Sequence, residues 1–215
     1  MNMTPLSGSN KIVVVGGGAA GMMAAGMAAQ AGAHVTLLEQ NGRLGKKLLI
    51  TGKGRCNVTN DCPWQDVLQN VPTNPRFLYS ALAGFSPADA KNFFEAYGCA
   101  LKTERGNRVF PVSDRASDII DALFLWVRRT GVSIIHASVS DLIMQDGRVT
   151  GVRAGKKTCL ADRVIVATGG ASYPQTGSTG DGYRFAREAG HSVVPANPSL
   201  VPLVESGETC RSLMG

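Results

Sequence analysis

The sequence predicts an α/β fold: a parallel sheet packed on helices, with an added antiparallel β-meander. Three observations predict it. A β-branched run at residues 12–15 leads straight into a glycine turn and an Ala-rich helix pattern. A second apolar run, residues 164–166 after Arg163, ends in Ala167-Thr168-Gly169-Gly170. Between them, residues 142–160 alternate around Asp146-Gly147, a hairpin signal.

The first unit carries most of the information. Gly16, Gly18 and Gly21 stand in the spacing G-x-G-x-x-G. Gly16 lets the chain turn sharply out of the strand, and Gly18 removes a side chain that would hold a pyrophosphate off the backbone. Gly21 lets the helix lie close on the strands. The helix pattern covers residues 19–30 and stops at Gly32, and a second strand follows at 34–39, ending in Glu39. Strand, glycine turn, helix, strand and acid make the Rossmann-like unit that binds the ADP half of a dinucleotide. Amide groups of the first helical turn and the helix dipole face the phosphates. Glu39 suits a ribose diol, which favours FAD or NAD over NADP. The uncharged stretch 12–29 is marginal for spanning a bilayer, and the triple glycine with Lys11 before it argues for a buried βα unit.

Composition bounds the rest. A chain of 215 residues, 44% hydrophobic and 18% charged, buries a substantial core and suits one domain with a small remainder. The first ten residues, MNMTPLSGSN, show no secretory signal. Five cysteines without a C-x-x-C pair and three scattered histidines argue for a reducing cytoplasm and against a metal site. The net charge is +6, with Arg43, Lys46, Lys47, Lys53 and Arg55 clustered in residues 42–57. A basic loop beside a dinucleotide unit points to cofactor phosphates or an anionic substrate. No aromatic residues interleave with these charges, so no nucleic-acid partner is expected, nor a membrane partner. Oligomeric state is left open.

The remaining elements follow in order. Residues 62–75 read as irregular connection. Ser86-Pro87-Ala88-Asp89 opens a helix with Ser at N-cap, Pro at N1 and Asp at N3, ending at Gly98. Residues 100–103 and 109–112 are short strands about a turn. A second capped helix begins near Ser113 or Asp114 and stops at Gly131. A strand at 132–137 precedes the meander, 142–144, 148–153 and 158–160. After the strand 163–166, a helix spans about 183–189, and Pro195, Pro198 and Pro202 then break regular structure.

Four stretches together resemble a known family: IVVVGGGAAG, GRLGKKLLITGKGRCNVTN, FPVSDRASDI and VIVATGGASYPQTGSTGDGYRFAREAGH. They resemble the two-dinucleotide-binding-domain flavoproteins, specifically the bacterial NAD(P)/FAD-dependent oxidoreductase family described as aminoacetone-oxidase-like. The resemblance implies a Rossmann-like FAD-binding domain whose meander packs near the adenine. It implies that Gly16, Gly18, Ala19, Ala20 and Gly21 hold the pyrophosphate and Glu39 the adenosine ribose. Arg43, Lys46 and Lys47 would lie along the phosphate and ribityl region. Thr51, Gly52, Gly54 and Asn57 would face the isoalloxazine ring, and Val139 would pair its backbone with adenine. Ala167, Thr168 and Gly169 would approach from the second glycine turn, with Asp181 in the following loop. Relatives of this kind continue into a substrate domain and return to the FAD domain. The expected organisation is therefore an FAD-binding domain at 1–195 and the start of an insertion or substrate domain at 196–215, incomplete at the C-terminus.

The implied chemistry is hydride or electron transfer through flavin N5 on a small-molecule substrate, with NAD(P)H as a transient electron donor and this portion alone inactive. Lys53 or Arg55 would place positive charge near the ring. Cys56 reads as packed rather than redox-active, and His191 as a helix cap. No catalytic acid or base is assigned. Two alternatives stand beside this reading: a dinucleotide-binding module without its own turnover, and a tRNA-modifying flavoprotein.

Overall fold

A computed structural model describes residues 10–198 and 206–212. β1 (Lys11–Val15), α1 (Ala19–Gln30) and β2 (His34–Glu39) match the expected strand–helix–strand unit. β1 pairs in parallel with β2 on one side and with β10 (Arg163–Val166) on the other. β6 (Ser133–His136) extends the sheet beside β2, giving four parallel strands in the order β10-β1-β2-β6. From β1 the chain winds outward to β2 and β6, then returns to β10 on the far side of β1. That reversal makes a switch point, and α/β sheets place their ligand crevice at the carboxyl ends of such strands.

Alternation along the strands sends side chains into two cores. Val14 and Leu37 face α1 and α5 (Ala116–Arg129), where they join Met22, Ala25, Ile119, Leu123 and Val127. Val13, Val15 and Leu38 face the other way, onto Val152, Ala154 and Phe185. This second layer is the meander, β7 (Val139–Gln145), β8 (Arg148–Ala154) and β9 (Lys157–Leu160), together with α6 (Asp181–Glu188). Both faces of the sheet are thus covered, which suits its near-continuous apolar strands. Each fully buried Val, Leu, Ile or Met contributes about 1.5–3 kcal/mol. α1 meets α5 closely at Gly26, where a Cβ would come within 2.8 Å of the Trp126 ring.

Between β2 and β6 lie the segments that flank the site. Residues 48–54 form a 3-10 turn broken at Thr51, Gly52 and Lys53. β3 (Thr59–Asn60), β4 (Leu101–Glu104) and β5 (Arg108–Pro111) make a small antiparallel sheet in the order β3-β5-β4. α4 (Pro87–Ala96) carries the expected capping box: Ser86 Oγ accepts from Asp89 N and the Asp89 carboxylate accepts from Ser86 N.

Three expectations change. Residues 62–75 are not wholly irregular, because α2 (Trp64–Gln69) forms there and α3 (Tyr79–Gly84) follows. Trp64 meets Tyr79 edge-on at 5.0 Å, a contact that local pattern does not reveal. α5 begins at Ala116 and has no side-chain cap. Asp114 is left-handed, at φ 57°, and its carboxylate is drawn away to Arg55 and Lys102. Asp181 is the first residue of α6 rather than a loop residue, with Gly180 at the N-cap. Half of the expected second domain at 196–215 lies outside the described residues.

Candidate dinucleotide site

The carboxyl ends of all four parallel strands open into one cleft of about 480 Å³. β1 contributes the turn 16–18, β2 contributes Glu39, Gln40 and Asn41, β6 leads to Ala137 and Ser138, and β10 leads to Ala167, Thr168 and Gly169. The volume lies within the range of small-molecule and cofactor sites. Glu39, Thr176 and Ser178 are the buried polar or charged side chains among the described residues, and all three line this cleft.

The first glycine turn is built by close approach. At Gly16, φ 104°, a Cβ would lie 2.5 Å from the Ala167 carbonyl oxygen, so the two turns touch through backbone. A Cβ on Gly21 would sit 1.7 Å from Gly16 O, which explains why α1 can begin so near the strand end. At Gly18 nothing stands within 4 Å of a Cβ, so that face is open to the cleft. The first N–H groups of α1 have no intrahelical acceptor and sit at its positive end.

Glu39 has a role that its position in the sequence does not show. Its Oε2 accepts from Gly17 N at 2.6 Å, and its Oε1 accepts from Asn41 N at 2.7 Å and Asn41 Nδ2 at 2.6 Å. The acid thereby fixes the glycine turn from below. Three of about four acceptor positions on the carboxylate are filled, which leaves about one for a ligand hydroxyl.

The second turn presents an unpartnered group. Thr168 Oγ1 is buried without a hydrogen bond, although its residue lines the cleft. Native interiors seldom leave such a hydroxyl unpaired, and a bound polar ligand is one way to satisfy it. The open face at Gly18, the Glu39 carboxylate and the Thr168 hydroxyl together form a donor and acceptor set that fits FAD.

Of the remaining expected residues, Ala19, Ala20, Lys46, Lys47, Thr51, Val139 and Asp181 also line the cleft. Arg43, Gly52, Gly54 and Asn57 do not. Gly21 lies behind the turn. The Asn57 amide, oriented to donate, reaches Val109 O and Thr59 O and so ties its loop to the small sheet. Lys46 Nζ donates to Asn41 Oδ1, and Lys47 Nζ donates to Ser172 O and Ser178 Oγ. The sequence reading passes over Gly17, Gln40, Asn41, Thr176 and Ser178. Gln40 and Asn41 directly follow Glu39, and Ser178 lies within the quoted GSTGDG run, so position relative to known ligands is the signal that would have found them.

Arg55 does not offer a free charge to a flavin ring. It forms a two-bond fork with Glu104, pairs with Asp114 and lies 3.9 Å over the Phe110 ring. Arg55 and Lys102 hold the Glu104 and Asp114 carboxyls below their ordinary values. Cys56 is buried, at φ 61°, and burial pushes its thiol up, as expected of a packed residue. Burial also pushes Cys99 up to about 11. Among the described residues no three His, Cys, Asp or Glu side chains gather as a metal site, and no helix is long and apolar enough to cross a membrane.

The sheet order, the glycine turn and the covering meander define a Rossmann-like α/β domain of the type found in FAD-binding oxidoreductases. Residues 10–207 match the family described as the HI0933-like protein Rossmann domain, and the chain belongs to it. It is 37% identical over 196 residues to a 3-dehydro-bile acid delta(4,6)-reductase from Clostridium scindens, covering 90% of this chain and 47% of that one. It is 31% identical over 190 residues to a ribosomal RNA dihydrouridine synthase from Escherichia coli, covering 88% and 47%. The fold also resembles an open conformation of a flavocytochrome c3 fumarate reductase, with a TM-score of 0.57 and 25% identity over 86% of this chain and 41% of that one. The chain therefore spans about half the length of the curated relatives it matches.

Proposed function

We propose that the chain is the FAD-binding portion of a flavin-dependent oxidoreductase. The observation that carries this reading is the single cleft at four strand ends, open at Gly18 and lined by Glu39 and Thr168. FAD, when bound, supplies hydride or electron transfer at flavin N5. The chain's own residues bind and orient. The N–H groups at the start of α1, with Gly16, Gly18, Ala19 and Ala20, take the pyrophosphate, and Gly21 lets α1 lie close behind the turn. Glu39 takes an adenosine ribose hydroxyl, and the Val139 backbone faces adenine. Lys46 adds positive charge along the wall. Thr51 marks the end of the cleft nearest the ring, where Gly52, Gly54 and Asn57 follow. Ala167, Thr168 and Gly169 line the cleft beside the first turn. NAD(P)H as transient electron donor, a cytoplasmic setting and domains at 1–195 and 196–215 belong to the same proposal.

The names of the two curated relatives share one chemistry, the addition of two hydrogens across a carbon–carbon double bond. The reading extended to this chain is reduction of such a bond in a small molecule. Purified protein is expected to show the visible absorption bands of oxidised flavin, or to acquire them on titration with FAD. Uptake of NAD in preference to FAD, or of neither, overturns the reading.

A second reading, an RNA substrate, is favoured by the ribosomal RNA enzyme among the relatives and by the net charge of +6. Its signature is an RNA affinity that falls steeply with salt.

A further inference from the structure

We propose that Lys47 is a positioning residue: it holds segment 172–178 across the cleft as an outer wall, instead of contacting a cofactor phosphate. The inference rests on the FAD reading above and deepens it. Four side-chain bonds cross from residues 40–47 to this segment. Gln40 Nε2 donates to Gly177 O at 2.9 Å, and Asn41 Nδ2 donates to Thr176 O at 3.2 Å. Lys47 Nζ donates to Ser172 O at 2.8 Å and to Ser178 Oγ at 2.6 Å.

No backbone–backbone bond among the described residues makes the same crossing. The segment's own backbone bonds are internal or return to its base: Thr176 N to Tyr173 O, Gly177 N to Pro174 O, and Gly180 N to Gly170 O. The wall is therefore tied to residues 40–47 by side chains alone. Its shape also has a local cost, because Tyr173 is left-handed at φ 54°, a conformation that persists where surroundings hold it.

Lys47 is the member that joins this wall to the second glycine turn. A Cβ on Gly169 would lie 2.6 Å from Ser178 Oγ and 3.9 Å from Lys47 Nζ, so ammonium, hydroxyl and turn form one packed group. An ammonium has three donors, and two are spent on the segment. Ser178 is 6% exposed, so without Lys47 its hydroxyl oxygen loses a charged donor in a place water does not readily reach. With two of its three donors spent on Ser172 and Ser178, the place from which Lys47 can offer its charge to the cleft is set by the wall it holds.

The test compares Lys47→Met, Ser178→Ala, their double variant and Lys47→Arg in the whole chain. In flavin-free protein, amide hydrogen exchange across residues 170–180 is expected to quicken about tenfold in Lys47→Met and measurably in Ser178→Ala, with Lys47→Arg nearer the parent. Affinity for FAD is expected to fall about tenfold in Lys47→Met, and the double variant to lose little more, since both act through one contact. Two results overturn the inference. One is unchanged exchange in Lys47→Met. The other is an FAD loss confined to Lys47→Met that vanishes at high salt while Ser178→Ala is silent, the signature of a direct phosphate contact. Should Lys47→Met fail to fold, Ser178→Ala decides through the same two readouts. Parent protein that takes up no FAD overturns the flavin reading instead, and exchange, which needs no flavin, still decides whether Lys47 holds the wall.

Discussion

The two glycine turns that meet side by side at the cleft are held by different means. The first, residues 16–21, is fastened through backbone and core. Gly16 N donates to Leu38 O, Gly45 N donates to Gly17 O, and Gly17 N donates to the buried Glu39 carboxylate. Met22, one residue beyond, is fully buried. The second turn, residues 167–170, has backbone bonds only at its ends, Ala167 N to Val15 O and Gly180 N to Gly170 O, and keeps one buried hydroxyl without a partner; the segment after it leans on the side chains of Gln40, Asn41 and Lys47. One turn is rigid by construction. The other has the polar, incompletely satisfied character of a surface made for a ligand. A dinucleotide cleft thus pairs a fixed floor with a wall whose order depends on few bonds.

Substitutions that break the rigid side have the largest expected effect. Gly21→Ala sets a Cβ against Gly16 O, and neither backbone can yield cheaply; the expected loss is about 3 kcal/mol or more, a Tm drop of roughly 6–12 °C in thermal denaturation. A Tm within a degree or two of the parent would show that α1 can tilt away from the turn. Next comes Glu39→Ala. It strands the buried Gly17 N–H and frees Asn41, for an expected cost of about 1–3 kcal/mol, read as a lower denaturation midpoint. Glu39→Gln keeps an acceptor for Gly17 and is expected to cost less, and equal losses would mean that the charge matters more than the bond.

The loop 51–57, between the two turns in chain order, gives a pH-dependent comparison. Glu104 and Asp114 have folded pKa values depressed by Arg55 and Lys102. Their contribution is therefore present above the unfolded carboxylate pKa and lost as pH falls below about 4, through the depressed folded values. Arg55→Met is expected to lower stability slightly at neutral pH and to flatten the acid limb of Tm against pH. A parallel acid limb would remove this network from the stability of the loop.

The smallest effect on folding is expected at the soft wall. Thr168→Val deletes a hydroxyl that has no partner, so Tm is expected to stay level or rise slightly, while FAD affinity falls about fivefold or more. A destabilised variant with unchanged FAD affinity would reverse the contrast between the two turns.

Much of the architecture is legible from local pattern. β-branched runs, the G-x-G-x-x-G spacing, the capping box at Ser86 and the Asp146-Gly147 turn, both residues left-handed, act over a few residues and appear where expected. α2 escaped the same reading because what steadies it is Tyr79, well separated in sequence. The start of α5 moved because Asp114 answers to Arg55 instead of to its own helix. At the site, the glycines of the first turn could be read from spacing, since backbone strain and close approach exclude side chains there. Lys47 and Arg55 could not be assigned that way: a long cation carries no local record of the partner it reaches.

By itself, then, the sequence determined the strand–turn–helix unit, the acid that follows it, and the strand and meander that cover the sheet, because these depend on short-range sterics and on apolar periodicity. Only the tertiary structure decided that Glu39 braces the turn it was expected to face across a ligand, that Arg55 is already paired, and that Lys47 reaches over the cleft to Ser172 and Ser178. Those are long-range contacts of flexible polar side chains, and their partners are fixed by where the parallel sheet brings the strand ends together.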